Sequence, residues 1–180
     1  MTGGAVISPC GLYRYHLWRQ WGESDAWRLL FIMLNPSTAD ALDPDNTIRV
    51  CIRLAKLLGY HGIDVGNLFA LRNKSPAALL TAADPVGPDN DVWLRLLIAR
   101  SPAPVIVAWG TGGKVARLVP PRVERLQELF AEQQTQQRRK AAGLPVGWQV
   151  QCYGFNKDGS PKHPLYLPND AHLTAWQEAA

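Results

Sequence analysis

A run of apolar residues, Arg28 to Leu34 (RLLFIML), stops abruptly at Asn35-Pro36-Ser37-Thr38. Nothing in the run alternates between apolar and polar, so a strand made from it must be covered on both faces, as in a parallel sheet. The polar residues after it then fall at the carboxyl end of a core strand. In open α/β sheets that end is where ligands bind.

The rest of the chain repeats this theme. Leu12 to Trp18 is short and aromatic and reads as an antiparallel edge strand that pairs with the next segment of the chain. A helix comes after Asn35-Pro36-Ser37. Asp43 is its expected N-cap, Pro44 its first residue, and Gly59 its end. Its expected apolar stripe is Ile48, Cys51, Ile52, Ala55 and Leu58. Gly62 to Asn67 (GIDVGN) leads into LFALR as a second core strand. Asp84 to Asn90 opens a second helix, which buries either Val92, Leu96 and Ala99 or Trp93, Leu97 and Ile98. Pro104 to Trp109 (PVIVAW) is a third strand, and a helix through Val123, Leu126, Leu129 and Phe130 comes next. Its tail, QQTQQRRKAAG, reads as a solvated extension. Trp148 to Tyr153 is a fourth strand, Asp158-Gly159 a turn, and Ala171 to Ala179 a terminal helix. Strands alternating with helices predict an α/β fold: a three-layer α/β/α sandwich on a mostly parallel sheet, with an N-terminal antiparallel edge strand.

Composition bounds the function. The 180 residues fit one domain, residues 1–180. Hydrophobic residues at 47% and a net charge of only +4 exclude a disordered chain and permit an anionic partner without demanding one. Cys10, Cys51 and Cys152 are odd in number and far apart, so they read as free thiols without metal spacing. No signal peptide or membrane span is read from the sequence, so the expectation is a cytoplasmic protein with no membrane partner. No motif asks for a metal or a cofactor.

Chemistry concentrates in a few residues. Asn35 both donates and accepts hydrogen bonds, so it can hold a water or read a base edge, with Pro36 fixing the turn and Ser37 adding a hydroxyl. The plainer alternative is a polar turn before a helix. Asn67, at a strand end, suits either a planar ligand such as a nucleobase or the backbone of a neighbouring loop. His163 precedes Pro164, which holds it extended. Its imidazole suits a developing anion, or it is a loop histidine in a Pro-rich turn. Arg72 comes just after the Asn67 strand, and Lys157 and Lys162 flank His163. These cations are placed to meet phosphate, or are simply solvated. Arg49, Arg53 and Lys56 form a basic face on the first helix, which is either a nucleic-acid track or a solvated surface. Gly110-Thr111-Gly112-Gly113-Lys114 fails the phosphate-loop pattern GxxxxGK[ST] and reads first as a tight strand-to-helix turn. Trp109 walls the same region or belongs to the core. His16, His61 and His172 read as structural or surface residues.

The blocks FIMLNPSTADALDPDNTIR, VGNLFALR, VIVAWGTGGK and KDGSPKHPLYLP, in this order, resemble an uncharacterised bacterial and phage family over about Phe31 to Pro168. More distantly, the same blocks resemble the signature blocks of the uracil-DNA glycosylase superfamily. That resemblance implies a role for each matching residue. Asn35, in an Asn-Pro core like that of the mismatch-specific branch, would position the attacking water. Asn67 would read the base. Val107 to Gly110 would be the hydrophobic-plus-Gly turn, and His163-Pro164 would begin the loop that stabilises the departing base. Two departures stand out. Leu165 takes the place of the usual Ser, and no carboxylate lies within Asn35-Pro36-Ser37, since Asp40, Asp43 and Asp45 come later. Leu165-Tyr166-Leu167 is the one candidate for an apolar wedge, or else is core. Three scattered cysteines leave no set for an iron–sulfur cluster. The implied function is recognition of a nucleobase in nucleic acid or a nucleotide, with N-glycosidic hydrolysis as its reaction. The alternative from another class is a non-catalytic nucleotide or nucleic-acid binding module.

Overall fold

A computed structural model describes residues 1–23, 27–37, 45–101, 104–140, 149–168 and 171–176, with backbone alone for 136–140. Its strands are β1 (Thr2–Ile7), β2 (Arg14–Gln20), β3 (Arg28–Met33), β4 (Gly62–Asn67), β5 (Val105–Val107), β6 (Val150–Cys152) and β7 (Thr174–Ala175). Its α-helices are α1 (Asn46–Leu57), α2 (Asn90–Arg100) and α3 (Val119–Lys140).

All seven strands join one sheet in the order β1-β2-β4-β3-β5-β6-β7. The inner strands β4, β3, β5 and β6 pair in parallel. The pairings β1–β2, β2–β4 and β6–β7 are antiparallel. The sheet is therefore mixed, not mostly parallel. A parallel neighbour needs a long crossover, whereas an antiparallel one needs only a turn. The chain before β3 contains no α-helix among the described residues, so it adds to the sheet as a hairpin.

The apolar run behaves as its pattern requires. Leu30 and Ile32 of β3 enter one core cluster with Leu94, Leu97 and Ile98 of α2 and Leu126, Leu129 and Phe130 of α3. Leu29, Phe31 and Met33 enter the other, with Ile48, Cys51, Leu54 and Ala55 of α1. Helices thus cover both faces. Among the described residues no helix is long and apolar enough to cross a membrane.

Several local expectations shift. The aromatic N-terminal strand is β2, and β1 lies outside it, so β2 is not an edge. It pairs with β1 and β4. The second core strand is GIDVGN itself. Leu68 and Phe69 still bond the end of β3 (Leu68 N–H to Met33 O, 2.8 Å; Phe69 N–H to Leu34 O, 2.9 Å), and LFALR goes on to meet the start of β2 through the Arg14 N–H to Ala70 O (2.9 Å), a Tyr13–Leu71 bridge and the Arg72 N–H to Leu12 O (2.9 Å). The N-cap of α1 is Asp45, whose Oδ1 accepts from the Ile48 N–H at 2.9 Å. Asp43 and Pro44 lie outside the described residues. Gly59, at φ +79°, closes α1, with Gly59 N–H bonded to Lys56 O and Tyr60 N–H to Ala55 O. Leu54, on the side of α1 that faces the sheet, is buried, and Leu58 is exposed because it is the C-cap, beyond the last helical residue Leu57.

Of the two stripes considered for α2, Leu97 and Ile98 are buried, together with Leu94, while Val92 and Leu96 are exposed. The expected tail of α3 is still helical through Lys140, and Gln133 in it is buried. Residues 141–143 lie outside the described residues, as does Trp148 before β6. Of the expected terminal helix, Ala171 to Ala179, residues 171–176 are not helical and include the strand β7, and residues 177–179 lie outside the described residues. The Trp176 N–H bonds Val150 O at 2.9 Å, and its ring meets Trp109 edge-on at 5.7 Å. A tertiary contact has overridden a local helical preference there.

The burial of Leu54 (6% exposed) and the exposure of Leu58 (42%) set different costs for truncating the two leucines. Leu54→Ala is expected to destabilise by about 2–5 kcal/mol. Leu58→Ala should change stability by less than about 0.5 kcal/mol. Urea unfolding midpoints with an unchanged slope check both.

Candidate functional site

The carboxyl ends of β3, β4 and β5 and the loop after β6 open onto one pocket of about 690 Å³. Asn35, Ser37, Asn67, Trp109 and His163 all line it. Pro36 and Pro164 are buried beside it and shape the loops that carry Asn35 and His163. Arg72 and Lys157 are not part of its lining. Arg72 instead donates from Nη1 to the Gly11 carbonyl at 3.0 Å, and Lys157 is exposed. Lys162 does line it.

Each wall has a physical anchor. The Asn35 amide nitrogen donates to the Asn73 carbonyl at 3.0 Å and to the Pro36 carbonyl at 3.3 Å. Pro36 O also accepts from the Asn73 N–H at 3.0 Å. With its NH₂ group engaged, Asn35 has its carboxamide oxygen left as the acceptor. Asn67 is held through its main chain. Asn90, fully buried, donates from Nδ2 to the Asn67 and Leu68 carbonyls at 3.1 Å each. Arg122 Nε donates to the Leu68 carbonyl at 2.9 Å. Arg122 and Arg125 also donate to opposite oxygens of Asp91, at 2.5 and 2.8 Å, which pins α2 to α3. Burial raises the Asp91 carboxyl, but these hydrogen bonds outweigh it and hold the group below the usual carboxylate range. The Asn67 side chain is 2% exposed, and its Oδ1 is buried with no hydrogen-bond partner.

His163 caps a one-turn 3₁₀ helix, Pro164–Tyr166, with Nδ1 accepting from the Leu165 N–H at 3.3 Å. An accepting Nδ1 assigns the hydrogen of the neutral ring to Nε2. Burial pushes the His163 pKa down, and the Asp45 carboxylate opposes this in part. Gly110 lies close by at φ +74°. A Cβ there would come within 3.3 Å of the His163 Cβ, and the Gly110 N–H bonds Pro161 O at 3.0 Å. A glycine is what lets the β5 turn and the His163 loop meet. Trp109, which is nearly buried, serves as both pocket wall and core, where Trp176 packs on it. The wedge candidates differ in exposure: Leu165 and Tyr166 are exposed and Leu167 is half-buried, and Tyr166 also lines the pocket.

Asp45 and Arg14 are charged lining residues that the sequence reading did not place in the site. Asp45 is a carboxylate in the pocket, further along the chain than the Asn-Pro-Ser turn. Ser37 Oγ donates to its Oδ2 at 2.7 Å, while its Oδ1 caps α1. Arg14 reaches the pocket from β2, and only 5% of it is exposed. Burial lowers its pKa to about 10, so it remains a cation at neutral pH. Its only sequence signal is a charge inside an aromatic strand, YRYHLW.

Fold and site thus define an α/β protein with a polar pocket at the carboxyl ends of its parallel strands. Residues 14–165 match the family described as "Protein of unknown function (DUF1643)", and the chain belongs to it. Neither the curated proteins nor the solved structures gave a match.

The His163 shift has a definite sign. Its folded pKa lies below the ordinary value of about 6.5, so the unfolded chain takes the proton more readily. The stability tied to neutral His163 is complete above that value and is lost as pH falls through the depressed one. Tm is therefore expected to drop on acidification below about pH 6.5. His163→Asn keeps a cap acceptor and cannot titrate. It should flatten that limb of the Tm–pH curve.

Proposed function

We propose that this pocket recognises a nucleobase and hydrolyses its N-glycosidic bond, in the manner of a uracil-DNA glycosylase-like protein. The observation that carries the reading is the buried, unpartnered Oδ1 of Asn67 in the pocket wall. Leaving a buried acceptor without a donor is unfavourable, and the N–H edge of a base would satisfy it. Asn35 and His163 face the same cavity, as this chemistry requires. Helices on both faces of the sheet also suit a glycosylase-like three-layer arrangement.

The roles come from the hydrogen bonds. The free carboxamide oxygen of Asn35 holds a water by one of its hydrogens. The water oxygen adds to the sugar C1′, the C1′–N bond breaks, and its electron pair leaves on the base. The Nε2–H of neutral His163 donates to that anion, and a neutral donor does so without itself giving up a proton. Asn35 is not a base, and the Asp45 carboxylate is the group of the pocket suited to take the proton from water. Pro36 and Pro164 fix the two loops, and Trp109 walls the base. Lys162 meets the backbone or phosphate of the ligand, as do Arg72 and Lys157 at greater remove. The partner is accordingly nucleic acid or a nucleotide.

Base release, measured by mass spectrometry, tests the reading on single- and double-stranded oligonucleotides carrying uracil, hypoxanthine or mismatched thymine, and on free nucleosides and nucleotides. The wild type should release one base specifically. His163→Ala should lower the rate by about 10²–10³-fold. Asn35→Ala should also be slow, and Asn67→Ala should lose the choice of base. If folded protein releases no base from any substrate but still binds one of them, the hydrolase is rejected in favour of a non-catalytic binding module.

A further inference from the structure

We infer that Arg14 is an anion receptor at the floor of the pocket, and that the ligand of this protein carries a terminal phosphate that docks on its guanidinium.

Arg14 is only 5% exposed, and its Nε is buried with no hydrogen-bond partner. No carboxylate among the described residues forms an ion pair with it. Buried charges are normally paired, because desolvation is otherwise uncompensated. Here neighbouring cations make matters worse. Arg72 lies close enough to weaken the hold of Arg14 on its proton, and its own Nε is also buried and unpartnered. Asp45 offsets this field in part, but its oxygens are engaged by the Ile48 N–H and the Ser37 hydroxyl. A guanidinium that lines the cavity with donors unused forms a site for an oxyanion, which a planar fork of N–H groups binds in two places at once.

The position of Arg14 narrows the class. It is a lining residue of the same pocket as Asn67, on the strand next to β4. Lys74, Lys114 and Lys162 line the same cavity and add positive charge. A cation this buried is reached from the cavity, where a group at the end of a ligand fits. An internal phosphodiester would need room for chain on both sides. A volume of about 690 Å³ is of the size that takes one small ligand. The source of the phosphate is either a free nucleotide or the phosphorylated end of a nucleic acid. This inference goes beyond the base-recognition reading and stands on Arg14 whether or not Asn67 reads a base.

Calorimetric titration and thermal shift at matched ionic strength test it on the whole chain. The probes are inorganic phosphate, a nucleoside, its 5′-monophosphate, and one oligonucleotide with and without a 5′-phosphate. Wild type should bind the monophosphate at least tenfold more tightly than the nucleoside, and phosphate alone should raise Tm. Preference for the monophosphate over the phosphorylated oligonucleotide identifies a free nucleotide as the source, and the reverse a nucleic-acid end. Arg14→Met should abolish the phosphate-dependent gain. It should leave the Tm of the free protein equal or higher, since it removes an unpaired buried charge. If Arg14→Met does not fold, Arg14→Lys, which keeps the charge without the fork, should bind the monophosphate at least tenfold more weakly than wild type. Equal wild-type affinity for nucleoside and monophosphate overturns the proposal. So does an Arg14→Met protein of lower Tm that still binds phosphate. Selectivity among bases in the nucleoside arm reports on the base reading separately.

Discussion

β3 lies between β4 and β5, and its alternate side chains supply both cores of the molecule. Leu30 and Ile32 meet α2 and α3 on one side, while Leu29, Phe31 and Met33 meet α1 on the other. Phe31 and Ile32 are fully buried, as a central strand covered on both faces demands. The direction of β3 fixes the direction of its parallel neighbours, and so gathers their carboxyl ends on one edge. The pocket exists because those ends must turn away from the sheet together.

That edge is polar at a structural disadvantage. Asn67 Oδ1 and the Nε atoms of Arg14 and Arg72 are buried without partners. Each such group destabilises the free protein, since it gives up water for nothing. In the proposed reading a ligand supplies the missing partner at Asn67 and Arg14. Asn90 and Arg122 act on the main chain. They donate to the carbonyls of Asn67 and Leu68 and lock the main chain, so that the side chain of Asn67 is fixed while its oxygen is left unmet.

The other wall depends on a close approach. Gly110 has a positive φ and lacks the Cβ that would press on His163. The Leu165 N–H then takes Nδ1 of His163, which settles the tautomer and leaves Nε2 as a donor. His163 with Nε2 as a donor, Asn35 with its carboxamide oxygen as an acceptor, and Asp45 bonded to Ser37 thus line one cavity with different hydrogen-bonding capacities.

The side-chain pattern was enough to mark β3, β5 and the three long helices, because burial leaves its record in apolar spacing. It was also enough to single out Asn35 and Asn67, since polar residues that end apolar runs emerge at strand ends, and His163, because it precedes Pro164 in a polar loop. It did not reveal that β1 lies outside β2, or that residues 174–175 form a strand, because backbone hydrogen bonds are made by groups common to every residue. Nor did it place Asp45 against Ser37 or carry Arg14 into the pocket. Asp45 was one of several acids in a polar stretch, and Arg14 comes from an antiparallel strand that precedes β3 in the chain. Side-chain order along the chain dictates what each segment must bury. Which segments lie side by side, and so which charges share a cavity, is decided when the sheet closes, by contacts between residues far apart along the chain.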